Sequence, residues 1–192
     1  MEPLPQIDDG YLTGQLLVAM PGMPDERFEK TVIYMCGHNA EGAMGLVLNR
    51  AMDSISFPDL LDQLEITPPG LSEAIQIHFG GPVEAGRGFV LHTSEYAQEA
   101  TTMVNERVAL TATVDILRDM AEGAGPRQSL LALGYAGWGP GQLDSEIKSN
   151  GWLTVEADED LIFGTDLEGK WQRAIAKIGI DPGMLADSAG HA

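Results

Sequence analysis

The chain of 192 residues carries 29 acidic against 11 basic side chains, a net charge of −18, with 44% hydrophobic residues and a single cysteine, Cys36. Such a length fits one domain, the apolar share is that of a globular core rather than a disordered chain, and one cysteine excludes an internal disulfide framework. A field this negative repels phosphate backbones, which proteins hold through Lys and Arg, so direct nucleic-acid binding is disfavoured.

No apolar run approaches the roughly 18–20 residues that span a bilayer. MEPLPQIDDG, residues 1–10, has neither the basic nor the apolar stretch of a secretory signal and reads as a loose lead-in. One domain is expected over 11–180, with DPGMLADSAGHA, 181–192, as a flexible tail. The protein is therefore expected in the cytoplasm, with no membrane partner.

QLLVAM (15–20), TVIYMC (31–36) and AMGLVLN (43–49) are short strand candidates, the last two joined by GHNAEG, whose length and Gly/Asn content suit a hairpin loop. SFPDLLDQLEI (56–66) predicts a helix capped by Ser56, with Leu60, Leu61 and Leu64 at 3–4 spacing. IQIHF (75–79) alternates as a strand with Ile75, Ile77 and Phe79 on one face; GGPV turns, and RGFVLHT (87–93) is the next strand. TTMV and RVALT form a strand pair around Asn105 and Glu106. Thr113 opens a helix through Glu122, closed by Gly123, with Val114, Leu117 and Ala121 as its buried stripe. SLLALG (129–134), a continuous apolar run, marks a strand covered on both faces. A helix (140–149), a strand WLTVEA (152–157), a turn at DEDLIF and a helix near 167–178 follow. In that last helix Trp171, Ala174, Ile175 and Ile178 share one side, while Lys170, Arg173 and Lys177 are expected on the solvated face. Helices interrupt the strands irregularly, which favours α+β over a doubly wound α/β fold.

Three stretches carry a family resemblance: GQLLVAMPGMPDERFEKTVIYMCGHNAEGAMGLVLNR, then HFGGPVEAGRGFVLHT, then LGYAGWGPGQLDSEIKSNGWL. GLVLNR, GGPV, the LH pair at 91–92 and GYAGWGPGQL, in this order, make the chain resemble the YqgE/AlgH family of bacteria from about Gly14 to Gly179. The family's usual proline after Asn-Arg is Ala51 here, and its usual Glu after GQL is Asp144. The resemblance implies one α+β domain whose mixed sheet bends into an incomplete barrel with flanking helices. It assigns no reaction, and it carries a label of transcriptional regulator tied to alginate production.

GYAGWGPGQLDSEI, residues 134–147, is neither a dinucleotide fingerprint nor a P-loop, since no Lys and no Ser or Thr follows its last glycine. Gly139 suits an N-cap, Pro140 the first helical position, and Gln142 can reach back to the cap amide. A structural corner explains the tract without a ligand. A ligand-facing loop stays open because Gln142 and Glu146 lie four apart beside Tyr135 and Trp138. Asn49 and Arg50 end a strand, where Arg can hold a carboxylate or phosphate, with an internal ion pair as the plainer reading. His38, His78, His92 and His191 have no metal-ligand spacing, and Cys36 beside His38 reads as packing.

No catalytic residue, metal or cofactor is implied. The leading expectation is a non-enzymatic protein, regulatory in role, that binds a partner protein with a basic surface. The alternative is a small-molecule pocket, binding or catalytic, where Asn49 and Arg50, the Gly80–Gly81 turn, His92 and the loop with Trp138, Gln142 and Glu146 converge. The third is the inherited regulator label with direct DNA contact, which the charge opposes.

Overall fold

A computed structural model describes residues 11–179, apart from 22, 24, 68–74 and 150. The expected lead-in, the tail and His191 lie outside the described residues. Strands β1 (Leu16–Ala19), β2 (Val32–Asn39) and β3 (Gly42–Val47) come first, followed by helix α1 (Phe57–Gln63). Then come β4 (Ile77–Phe79), β5 (Val83–Thr93), β6 (Thr102–Met103), β7 (Val108–Thr111) and α2 (Val114–Ala121). β8 (Ser129–Trp138), α3 (Gln142–Lys148), β9 (Trp152–Val155), α4 (Glu159–Phe163) and α5 (Leu167–Lys177) complete the described chain.

The strands lie in the order β6-β7-β5-β8-β3-β2-β1-β9, antiparallel throughout, with β4 parallel to the first half of β8. This is the expected single α+β domain, a mixed sheet curled into a half-barrel with flanking helices. Local chemistry accounts for the helix starts. At α1 the Ser56 hydroxyl accepts from Asp59 N–H while the Asp59 carboxylate accepts from Ser56 N–H, both at 3.2 Å. Asp158 and Asp166 cap α4 and α5, accepting from Leu161 and Gly169 N–H.

Several expectations change in detail. The hairpin loop shrinks to Ala40–Glu41, because Gly37, His38 and Asn39 pair with Met44, Ala43 and Gly42. The strand expected from Ile75 begins at Ile77, and Val83 leaves the GGPV turn to join β5. DEDLIF forms a helix. In α2 the buried residues are Ile116 and Leu117, while Val114 is 38% exposed. Thr113 spends its hydroxyl on Gln98 Oε1 instead of capping, and Ile116 turns into the cluster with Phe57, Leu61 and Ile77.

Two irregularities decide which side chains face which way. Along β8, Leu130 and Ala132 join the inner core with Tyr34, Leu46 and Phe89, while Leu131 and Leu133 pack under α1 and α2. Gly134 then adopts φ 77°, which skips one step of the alternation. Tyr135 therefore returns to the inner face, and Ala136 and Trp138 fall on the outer one with Leu143 and Trp152. A matching shift lies in β2 between Met35 and Gly37: Cys36 stays inside, and His38 turns out toward α3.

Helix α5 covers the inner face over β1, β2 and β9, and α4 packs beside it against β8, through Leu161, Ile162, Trp171, Ala174 and Ile175. Val104 packs on part of the rest and Asn105 Nδ2 donates to the Tyr34 hydroxyl there, while the stretch from the β2–β3 hairpin to β6 stays open. Replacing Gly134 with Val is expected to lower unfolding stability by more than about 2 kcal/mol in urea titration. A Cβ at that φ also collides with the Gly81 carbonyl. Gly37→Val, whose Cβ meets nothing within 4 Å, is expected to leave stability within about 0.5 kcal/mol.

Candidate functional site

The uncovered inner face forms a groove of about 790 Å3 that runs across the strands from the β2–β3 hairpin to β6. Gly37, Gly42 and Gly137 keep its floor low, and Met44, Phe89, Leu110 and Tyr135 give it apolar walls. Phe89 and Tyr135 meet edge to face at 5.8 Å between centroids, a favoured aromatic geometry. The Arg87 guanidinium lies 5.1 Å from the Phe89 ring and 3.6 Å from the Glu84 carboxylate. Glu41, on the hairpin turn, and Glu84, on the irregular stretch of β5 opposite, stand exposed at the rim. Tyr135 and Gly137 reach this groove because of the phase shift at Gly134. Tyr135 and Gly137 thus serve the groove, Ala136 serves the core behind it, and Trp138 borders the end of the groove while its side chain packs in that core.

The expected convergence into one pocket does not occur. Asn49 and Arg50 do adjoin Gly80 and Gly81, since Phe79 N–H donates to Arg50 O and Val47 N–H to Gly80 O, both at 2.9 Å. Their side chains, however, serve the fold. Asn49 Oδ1 accepts from Val32 N–H and Asn49 Nδ2 donates to Lys30 O, each at 2.9 Å. Arg50 Nη2 donates to Glu29 O at 2.9 Å, so the pair clips the 28–31 turn to the end of β3. Gly81 runs against the Tyr135–Ala136 peptide, where a Cβ has no room.

His92 pairs with Ser129 at the start of β8, while Trp138 ends it, a separation of about 30 Å along a strand. His92 is fully buried, which removes it from any ligand reading. Its Nδ1 donates to Thr93 O at 2.9 Å, and Nε2 accepts from the Thr111 hydroxyl at 2.7 Å. Thr101, Gln98 and Thr113 extend this chain of bonds, tying the 94–101 loop to β7. Burial holds the His92 pKa below its ordinary value, and the imidazole is neutral at pH 7.

Trp138, Gln142 and Glu146 do come together, with a fourth member that sequence reasoning missed. Glu146 Oε1 accepts from the indole N–H of Trp138 at 3.2 Å and of Trp152 at 2.9 Å. Glu146 Oε2 accepts from Gln142 Nε2 at 2.9 Å, and Gln142 Oε1 accepts from Gly139 N–H at 2.9 Å. The reach of Gln142 to Gly139 is as expected, although the N-cap is Gly141, at φ 72°. The carboxylate latches α3 to β8 and β9, and its oxygens are occupied by protein donors. Among the described residues no three His, Cys, Asp or Glu side chains gather where they would hold a metal ion. Burial pushes the Cys36 thiol up to about 12 and keeps it protonated, while His38 Nδ1 accepts from Leu12 N–H on the other face.

Lys170 contradicts the expected solvated face of α5. It is fully buried, and its Nζ donates to Leu48 O at 3.3 Å and Ile162 O at 2.9 Å. Arg173 and Lys177 pair instead with Asp160 and Asp158, each at 2.9 Å. Burial, with a smaller push from Arg173, lowers the Lys170 pKa to about 8 from 10.5. Between those values the unfolded chain binds the proton and the native protein does not, so stability rises with pH. Urea titrations of wild type and Lys170→Met are expected to show the wild type gaining up to about 3 kcal/mol on the variant between pH 8 and 10.5. A constant difference would place the amine in water.

No helix among the described residues is long and apolar enough to cross a membrane. The chain is 57% identical to a UPF0301 protein of Rhodospirillum rubrum over 192 residues, covering all of both. It is 56% identical over 198 residues to one of Bradyrhizobium diazoefficiens, covering 99% of this chain and 92% of that one. Its fold matches the solution structure of the AlgH protein from Pseudomonas aeruginosa with a TM-score of 0.79 at 39% identity, over the whole of both chains. It also matches the fold of a protein from Corynebacterium diphtheriae, with a TM-score of 0.66 at 21% identity over 90% and 87% of the two chains. The AlgH-like family model matches residues 16–183, and the chain belongs to the AlgH-like family.

Proposed function

We propose that this is a non-enzymatic cytoplasmic protein that acts by binding a partner protein with a basic surface, through the groove on the inner sheet face. The observation that supports the reading is the pairing of apolar walls with a rim that carries Glu41 and the Glu84–Arg87 pair, net acidic, on a chain of net charge −18. Apolar contact supplies affinity, and the acidic field speeds encounter and selects basic partners. The regulatory role carried by the family resemblance is exerted through this contact and not on DNA.

A photoreactive amino acid at Met44, on the groove, is expected to give in cells one dominant adduct. The same residue at exposed Thr154, on β9, is expected not to give it. Mass spectrometry of the adduct is expected to identify a protein with a basic surface. The Kd of that protein, purified, is expected to rise at least about tenfold between about 50 and 500 mM salt. Identical adducts at both positions, or affinity indifferent to salt, would overturn the reading.

A further inference from the structure

We infer that the partner enters the groove as an amphipathic α-helix laid across the strands, apolar face down and Lys or Arg along its flank. The inference rests on the partner-binding reading and adds the shape of what is bound. Direction comes first. The groove crosses β3, β8, β5, β7 and β6, and the strands of its floor already have neighbours on both sides, except β6 at the edge. Only two residues of β6 are paired, so an added strand finds little free backbone. A ligand here must therefore be held by side chains.

Length is the second consideration. Four steps between neighbouring strands amount to about 19 Å, which about 13 helical residues span. The third is continuity. The inner face that floors the groove is the one on which α5 already lies, seating Trp171, Ala174 and Ile175 at steps of three and four. A partner helix extends that layer over the part of the face α4 and α5 leave bare. Gly37, where a Cβ meets nothing within 4 Å, leaves room for the apolar ridge. Glu41, on the β2–β3 turn, meets basic residues on the helix flank, and Glu84, on β5, does so by exchanging its exposed partner Arg87 at 3.6 Å for one of them. A second copy of this chain, itself at −18, is repelled from the same rim.

The test selects binders from a randomised 16-residue peptide library displayed against the immobilised protein, then measures synthetic binders by fluorescence anisotropy and circular dichroism. Two variants serve as probes: Gly37→Leu, which fills the floor in open space, and the charge reversal Glu41→Lys with Glu84→Lys. Melting curves confirm that both variants fold. Recovered peptides are expected to place apolar residues at i, i+3 or i+4, and i+7 with Lys or Arg beside them. They are expected to gain helicity on binding and to weaken at least tenfold against each variant. Peptides with alternating or proline-rich patterns that still weaken against Gly37→Leu would keep the groove and overturn the helix. Binders indifferent to both variants, or no enrichment, would overturn the groove reading with it. Self-association of the protein that Gly37→Leu dissolves would make a second copy the occupant and refute the inference.

Discussion

The left-handed turn of Gly134 inside β8 is the constraint on which the arrangement depends. Without that extra step, the side-chain alternation set by Leu130 and Ala132 would carry Trp138 to the inner face and Tyr135 to the outer one. With it, Tyr135 walls the groove with Phe89, and Trp138 joins Trp152 in the outer core. The tight approach of Gly81 to Tyr135 and of Gly134 to Gly81 makes the two glycine segments one unit. Glycine is needed there because backbone lies against backbone, not because a ligand is cradled.

The same logic runs through the rest of the GYAGWGPGQL tract. Its indole, amide and carboxylate groups satisfy one another, and the partly buried Glu146 carboxylate has its oxygens taken up by three protein donors. Asn49 and Arg50 likewise spend their polar groups on the 28–31 turn. Polar groups that look like site residues are thus committed to holding strand ends, and the surface left for binding mixes apolar walls with polar and charged groups at its margin.

Much of the fold was legible because its signals are local. Ser56 with Asp59, and the apolar runs of β1 and β2, need no knowledge of distant contacts. Motif order carried the family and, with it, the half-barrel. The phase shifts were not legible: GHNAEG has the composition of a loop, yet Gly37 and Asn39 are paired strand residues beside a bulge. Lys170 shares the phase of Ala174, so its helix face pointed inward, but residue type argued for solvent. It stays inside because two carbonyls, of Leu48 and Ile162, meet its amine. Trp152 escaped notice because β9 returns to α3 through a turn that no spacing encodes. The groove itself is assembled from segments far apart in sequence, so only the fold brings them together.

The most direct measurement is paramagnetic relaxation in solution, with a soluble probe added to isotope-labelled protein. Strong broadening is expected of the Met44 methyl and Tyr135 ring signals, with an indole N–H of Trp138 that stays sharp and exchanges slowly behind Glu146. A sharp Tyr135 beside a broadened, rapidly exchanging Trp138 indole would contradict this arrangement, because β8 would then present the opposite faces and no such groove would exist.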